Sequence, residues 1–456
     1  MAEGNQHEPS EYQLIGPSED GKISDLLAGQ TAKEARQRLQ ALISEWLRME
    51  NLVVLTGAGT SKSSGGKLMA NLEDSVLETV RCIKGISTAA TSIIDQRLAP
   101  PAEGERKIGF EDWLSYLVNA RHLAQAPGSP FAEVKWKGGN TATAGDLSWL
   151  VTRIGRAIFL YCALRLRAEQ EDTGAPPPHL AFLAKLVARD SNLGRAHLFT
   201  LNYDTLFEQA LETLGIQYFD GFTGRADARF DPSVYGLDVY WPGEVAEGRV
   251  RRFDKFLHLY KLHGSIHWQV RDDELRARHT DLTPFEQIRA LAPAARAAEL
   301  EAGTHHLSPI GILPTANKFA QTLTMPFAHI FRAFQIRLSV PQTFLLVLGY
   351  GFGDDHVTRV IETALMNPSL IMLVVEPDPN SPTVQRIRRY KELGKRAFIL
   401  TASEAAHTAA PFQRATFDDF GNNIMPDVRW LEDFLRLRRF EKQIAASRGF
   451  VPDAEG

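Results

Sequence analysis

Short, fully apolar runs that each stop at small or polar residues constrain this 456-residue chain more than any other feature. Asn51 to Thr56 (NLVVLT) ends in Gly57-Ala58-Gly59-Thr60-Ser61, and Ala196 to Leu201 (AHLFTL) runs into the turn Thr200-Leu201-Asn202-Tyr203-Asp204. Further candidate strands are Phe256 to Leu262, Pro309 to Leu313, Thr343 to Leu348, Leu370 to Val375 and Arg396 to Leu400. Such runs suit strands buried on both faces. Helical spacing appears between most of them, at Asp204 to Leu214, Met325 to Leu338, Asp355 to Met366 and Ser381 to Leu393. Strand–helix alternation of this kind predicts an α/β fold, a Rossmann-like doubly wound parallel sheet.

One interval does not fit. Lys67 to Arg195 is far longer than the usual βα connection of about 2–6 residues. Its patterns are helical at Leu68 to Ile83, Phe110 to Leu123 and Asp146 to Arg167, which predicts a large inserted all-α subdomain over 67–195. The sheet domain is then expected over 31–66 and 196–400, opening with a helix from Thr31 to Glu50 whose Leu39, Leu42, Ile43 and Leu47 form one stripe. Residues 1–30 are polar and read as a mobile arm. Residues 401–456 read as a C-terminal helical extension, with Trp430 to Gln443 amphipathic. Phe222 to Phe253 has no clear period and reads as an elaborated loop or a small β excursion.

Composition narrows the partners. Lys and Arg total 51 against 55 Asp and Glu, a formal net charge of -4, without the basic excess of a direct nucleic-acid binder. Arg249-Val250-Arg251-Arg252 reads as a solvated face, or else as a local contact for an acidic partner. Cys82 and Cys162 are the two cysteines, so a four-thiolate zinc site is excluded and no metal site is expected. Two thiols in so long a chain, no secretory signal pattern in Met1 to Gly29 and no apolar run of about 20 residues point to a cytoplasmic protein with no membrane contact.

The strand ends carry the chemistry, because open α/β sheets bind ligands at the carboxyl ends of their strands. Gly57 and Gly59 let a tight turn bring backbone N–H groups against a pyrophosphate, although tight turns need glycine in any case. Position 62 is Lys, not the third glycine of the dinucleotide fingerprint, and Gly65-Gly66-Lys67 lacks the spacing of a P-loop. Asn202 and Asp204 offer a buried amide and acid, or a plain helix cap. His263 ends the run FLHLYKL before Gly264-Ser265 and suits a general base, whereas His258 and His267 suit packing or surface roles. Gly349-Tyr350-Gly351-Phe352-Gly353 gives a loop that can approach a nucleotide. Asp354 or Asp355 then caps the following helix, a cheaper reading than a partial metal site at Asp354-Asp355-His356. Glu376 ends the next run and suits a ribose hydroxyl, and Pro314, Thr315 and Lys318 follow another strand end.

Taken in order, GAGTS, TLNYD, LHGS and GYGFGDDH make the chain resemble the sirtuin superfamily, over about 31–66 and 196–400. FEDWLSYL at Phe110 to Leu117, with GYGFGDDH, is similar to the bacterial sirtuin-like proteins of antiphage defence. That resemblance implies an NAD hydrolase that cleaves the nicotinamide–ribose bond, with NAD as substrate and no zinc. It implies that Gly57, Ala58, Gly59, Thr60 and Ser61 hold phosphates and ribose, with Thr200 beside them and Asp204 on the nicotinamide side. Asn202 and His263 would be catalytic, and Gly349, Tyr350, Gly351, Phe352 and Glu376 would hold the adenosine end. A homo-oligomer and a HerA-type ATPase partner are implied as well. An NAD or ADP-ribose sensor without hydrolysis is the alternative reading, followed by a protein deacylase. Against the deacylase, Gly66-Lys67-Leu68-Met69 replaces the Ile-Pro-Asp-Phe-Arg continuation of that branch, and the cysteines of its zinc module are lacking.

Overall fold

The computed structural model describes residues 9–17, 23–101, 108–131, 133–136, 141–166, 176–190, 192–241, 252–272, 274–302, 326–392, 394–408 and 414–427. Its main sheet contains β1 (Tyr12–Pro17), β2 (Ile23–Asp25) and β3 (Asn51–Thr56). A short hairpin, β4 (Glu133–Lys135) and β5 (Thr141–Thr143), stands apart from it. Then come β6 (Ala196–Thr200) and β7 (Gln217–Phe219), two strands of a second sheet, β8 (Phe222–Thr223) and β9 (Ala228–Phe230), and β10 (Phe256–Lys261). The second sheet is completed by β11 (Trp268–Arg271) and β12 (Glu274–Ala277), and the main sheet by β13 (Thr343–Leu348), β14 (Ile371–Val375) and β15 (Ala397–Ala402).

The main sheet has nine strands in the order β2-β1-β15-β14-β13-β3-β6-β10-β7. All its pairs are parallel except the two made by β1. The fold is α/β and Rossmann-like, as the alternation predicted. Side chains of successive strand residues point to opposite faces, and the core divides accordingly. Leu52 and Val54 of β3 pack on one face with α1 (Ala32–Leu47). Val53 and Leu55 pack on the other with α10 (Phe327–Ser339) and α11 (Asp355–Ala364). β13 splits in the same way, Phe344 and Leu346 to the first face, Leu345 and Val347 to the second. Each such fully buried aliphatic or aromatic side chain contributes about 1.5–3 kcal/mol, so the sheet centre is the most strongly held part of the chain. α1 begins with a capping box, Thr31 with Glu34.

The N-terminal segment departs from the reading as a mobile arm. β1 pairs with β15 and adds an antiparallel edge, Tyr12 opposite Ala402. Its Tyr12 hydroxyl donates to Asp419 at 2.9 Å. The Asp25 carboxylate accepts the N–H groups of Leu14 and Leu27, each at 3.0 Å, and fixes the bend between the arm and α1. Residues 1–8 lie outside the described residues, as do the candidate strand at Pro309 to Leu313, Pro314, Thr315, Lys318 and the expected helix at Trp430 to Gln443.

The helical body differs in extent from the 67–195 insert that the sequence suggested. α2 (Met69–Arg81), α3 (Thr88–Leu98), α4 (Phe110–Gln125) and α5 (Ala144–Cys162) form one apolar cluster. Phe285, Ile288, Ala297 and Leu300 of α8 (Thr283–Ala290) and α9 (Pro293–Ala302) complete it, although they lie within the span assigned to the sheet domain. Arg153 pairs with Glu301 at 2.9 Å across this join. α6 (Pro178–Leu186) goes the other way: Phe182, Leu183 and Leu186 cover the sheet, beside α7 (Leu206–Thr213). Phe222 to Phe253 proves to be the β excursion in part, since β8 and β9 pair with the hairpin β11–β12 that follows His263. In the basic run, Arg252 pairs with Asp238 at 2.8 Å, and 249–251 lie outside the described residues.

Candidate functional site

The carboxyl ends of β3, β6, β10 and β13 meet the helical body around one cavity of about 610 Å³. That is within the range of about 300–1,000 Å³ that small-molecule sites occupy. Gly57, Ala58, Ser61, Asn202, Asp204, His263, Gly349, Tyr350 and Gly351 all line it. The helical body supplies the opposite wall, with Leu72 of α2, Glu111 and Asp112 of α4, and Tyr161 and Cys162 of α5.

β3 runs into a 3-10 turn, Ala58–Ser64, which Gly65 closes with φ of 86°. The glycines here have a role that sequence reasoning missed. The Gly57 N–H donates to Leu348 O at 3.0 Å and the Gly59 N–H to Gly349 O at 2.9 Å. A Cβ on Gly59 would stand 2.7 Å from Gly349 Cα, and one on Gly349, where φ is 62°, would stand 2.6 Å from the Thr60 nitrogen. The GAGTS turn and the GYGFG loop are therefore pressed backbone to backbone. Gly59 admits its neighbour loop, and it does not line the cavity.

Asn202 binds the same turn from the other side. Its two Nδ2 hydrogens are shared among Gly57 O at 3.0 Å, Thr60 Oγ1 at 3.1 Å and Ser61 Oγ at 2.9 Å. The Asn202 N–H donates to Thr200 Oγ1 at 3.1 Å. Thr60 and Thr200 are thus fully buried supports behind the wall rather than part of it. The Ser61 hydroxyl donates to Asp204 Oδ2 at 2.7 Å, while Asp204 Oδ1 accepts the Leu206 N–H and so also serves the start of α7. The N-cap position of α7 itself is Thr205, so Asp204 supports the turn ahead of the helix rather than capping it.

Lys261, which the reading of the sequence passed over, is 2 % exposed; its Nζ binds the Asp204 carbonyl and pairs with Glu208 at 2.9 Å. Burial raises the Asp204 carboxyl, opposed by the Lys261 charge and the Ser61 hydroxyl. Burial likewise raises Glu208, again against Lys261. A lysine after alternating apolar residues in FLHLYKL was the one available signal for it.

His263 is 3 % exposed and lies with its ring centroid 6.3 Å from that of Tyr203. Burial raises the Tyr203 phenol well above its ordinary value, with Cys162, Asp354 and Glu111 adding to the effect, so it stays a hydroxyl at neutral pH. Burial also pushes the Cys162 thiol up to about 12, which removes it as a thiolate nucleophile. His258 packs as expected, stacked 5.0 Å from His197, and desolvation lowers it to about 4.

Two more expected site residues stand off the cavity. Phe352 is buried in the core beneath the loop, at φ of 56°. Glu376 does not line the cavity either; its Oε1 accepts the Asp378 N–H at 3.2 Å and folds onto its own turn. Its strand, β14, lies two places from β3, a distance of about 10 Å at the usual strand spacing. Asp354 corrects another expectation. It occupies the position before α11, yet its side chain makes no capping hydrogen bond there. Among the described residues, no group of His, Cys, Asp or Glu side chains is arranged to hold a metal ion, and no helix is long and apolar enough to cross a membrane.

Residues 196–395 match the family model described as SIR2-like domain. That match begins at the first residue of β6, so it takes in Asn202, His263 and the Gly349 loop and leaves out the GAGTS turn, which the fold brings back beside them. It supports the sirtuin-like resemblance and an NAD-related function. No curated protein matches the chain.

Proposed function

We propose that this chain is an NAD glycohydrolase. NAD and water would give nicotinamide, ADP-ribose and a proton. The observation that carries the reading is the convergence of Asn202 and His263 on one cavity beside the GAGTS turn. The pyridinium is already a good leaving group, and the glycosidic electron pair departs with its nitrogen. A water on the freed carbon then loses its proton to His263. The Asn202 amide nitrogen is committed to Gly57, Thr60 and Ser61, so Asn202 addresses that water through Oδ1. The helical wall keeps bulk solvent from the reacting carbon and holds the dinucleotide in place.

Following the resemblance, we place the activity in the cytoplasm as an antiphage effector that depletes NAD, acting as a homo-oligomer beside a HerA-type ATPase. Nicotinamide release from NAD by the purified full chain tests the chemistry. His263→Ala and Asn202→Ala should each lower turnover by about 10²-fold or more with the fold intact. NAD binding with release at background would replace the hydrolase by a sensor. Release that needs an acyl-lysine peptide would make it a deacylase. Plaque counts on cells carrying the wild type or His263→Ala test the defence role, and light scattering of the purified chain tests the assembly.

A further inference from the structure

We propose that Asp354 is the positioning residue of the candidate base, a role that rests on the NAD-cleaving reading above. Its Oδ2 lies 3.5 Å from His263 Nε2, and its Oδ1 lies 3.4 Å from His356 Nε2. One carboxylate is held between two imidazoles, with its side chain 10 % exposed and that of His263 4 % exposed. The backbone beneath it is fixed. The Tyr350 hydroxyl accepts the Asp354 N–H at 3.2 Å and donates to the Asp354 carbonyl at 3.1 Å, and the Thr358 N–H donates to the same carbonyl at 2.9 Å. Tyr350 therefore closes the GYGFGD loop into a ring that holds the carboxylate between His263, just past β10, and His356, in the first turn of α11.

A carboxylate facing Nε2 favours the tautomer that carries its proton there, which places the basic lone pair on Nδ1. The same charge stabilises the imidazolium that forms when the water proton arrives. At 3.5 Å the two groups are at ion-pair distance, and a contact of this kind tightens once the ring is charged. The carboxylate touches neither water nor sugar in this scheme. It acts through His263.

The test uses the full chain. Asp354→Asn keeps the shape and removes the charge; it should lower kcat for nicotinamide release by about 10²-fold or more and change KM little. Asp354→Glu should recover part of that loss. In a His263→Ala background Asp354→Asn should add almost nothing, because both changes disable one unit. Wild-type kcat in Asp354→Asn, or full additivity in the double variant, overturns the proposal. A second readout does not need turnover: nitrogen NMR of labelled histidine rings, with His263 assigned by its loss in His263→Ala, should show the Nε2–H tautomer in wild type and a mixture in Asp354→Asn. The same tautomer population in both overturns the positioning role even in a chain that releases no nicotinamide, whereas absence of release alone overturns the hydrolase reading.

Discussion

The amide of Asn202 donates to Ser61 Oγ at 2.9 Å, and that hydroxyl donates onward to Asp204 Oδ2 at 2.7 Å. Three residues drawn from two motifs more than a hundred positions apart thus form one buried relay. Removing Ser61 Oγ leaves the Asp204 oxygen and the Asn202 N–H without that partner. Ser61→Ala should therefore destabilise the chain by about 1–3 kcal/mol, the cost of an unmade buried hydrogen bond. Denaturant unfolding of Ser61→Ala, Asn202→Ala and the double variant checks it. The two losses should sum to more than the double shows.

Backbone contact between the GAGTS and GYGFG loops leaves no room for a side chain at position 59. Gly59→Ala places a methyl 2.7 Å from Gly349 Cα and 3.1 Å from Gly349 O. Neither is a flexible side-chain end that can swing aside, so the loops must part, at about 1–3 kcal/mol for overpacking. NAD turnover should fall with stability, because Gly57 and Gly349 both line the cavity. Gly353→Ala, where the added carbon meets nothing within 4 Å, serves as the control. A Gly59→Ala protein as stable as that control would show that the loops do not press on each other.

Glu111 reaches the cavity from the first turn of α4, within the helical body. Burial raises the Tyr203 and Tyr350 phenols, Asp354 adds to both, and the Glu111 charge makes a smaller contribution in the same direction. A carboxylate so placed can bind ribose hydroxyls or face the pyridinium cation. Glu111→Gln should lower kcat/KM for NAD by roughly 10–100-fold, corresponding to one charged hydrogen bond of about 1.5–3 kcal/mol, with the melting temperature unchanged. Steady-state kinetics decide it, and an unchanged kcat/KM would assign the helical wall to shielding alone.

Acid stability depends on a histidine that does not line the cavity. His179 is fully buried between Phe207 and Phe417, with ring centroids 4.9 Å away in each case, and neither ring nitrogen has a hydrogen-bond partner among the described residues. Desolvation lowers it to about 3. The unfolded chain takes up this proton near pH 6.5 while the folded chain does not, so stability falls as pH drops through 6.5 toward 3, by about 1.4 kcal/mol per pH unit. Asp220, raised to about 6 by burial, works in the opposite sense below that pH. Comparison with His179→Phe isolates the histidine: the variant's unfolding free energy should decline less steeply between pH 6.5 and 5. Parallel curves for the two proteins would remove His179 as the cause.

Local chemistry made much of the fold legible. Apolar run length and the small residues that end each run located β3, β6, β10, β13, β14 and β15, because a strand buried on both faces must be apolar throughout. The same strand ends brought Asn202, Asp204, His263 and the Gly349 loop to one cavity, since a parallel sheet gathers its carboxyl ends on one edge. The edge strand β1 was hidden, because YQLIGP contains glycine and proline and gains its strand character by pairing with a partner at the far end of the chain. α8 and α9 joined the helical body for a like reason: their apolar faces match α2 and α5 in space and nothing near them in sequence.

The order of motifs therefore determined the sheet and which strand ends form the crevice. What each polar side chain does there was decided by the tertiary structure. Asp354 looks in sequence like a helix cap, yet its carboxylate meets two histidines. Glu376 looks like a ribose ligand, yet it bonds to its own turn. Lys261 looks like an intruder in a strand, yet it is the buried cation behind Asp204. Hydrophobic periodicity is a property of neighbouring residues and is written along the chain. A charge or hydrogen bond is settled by whichever partner the fold brings within about 3–4 Å, and those partners are distant in sequence.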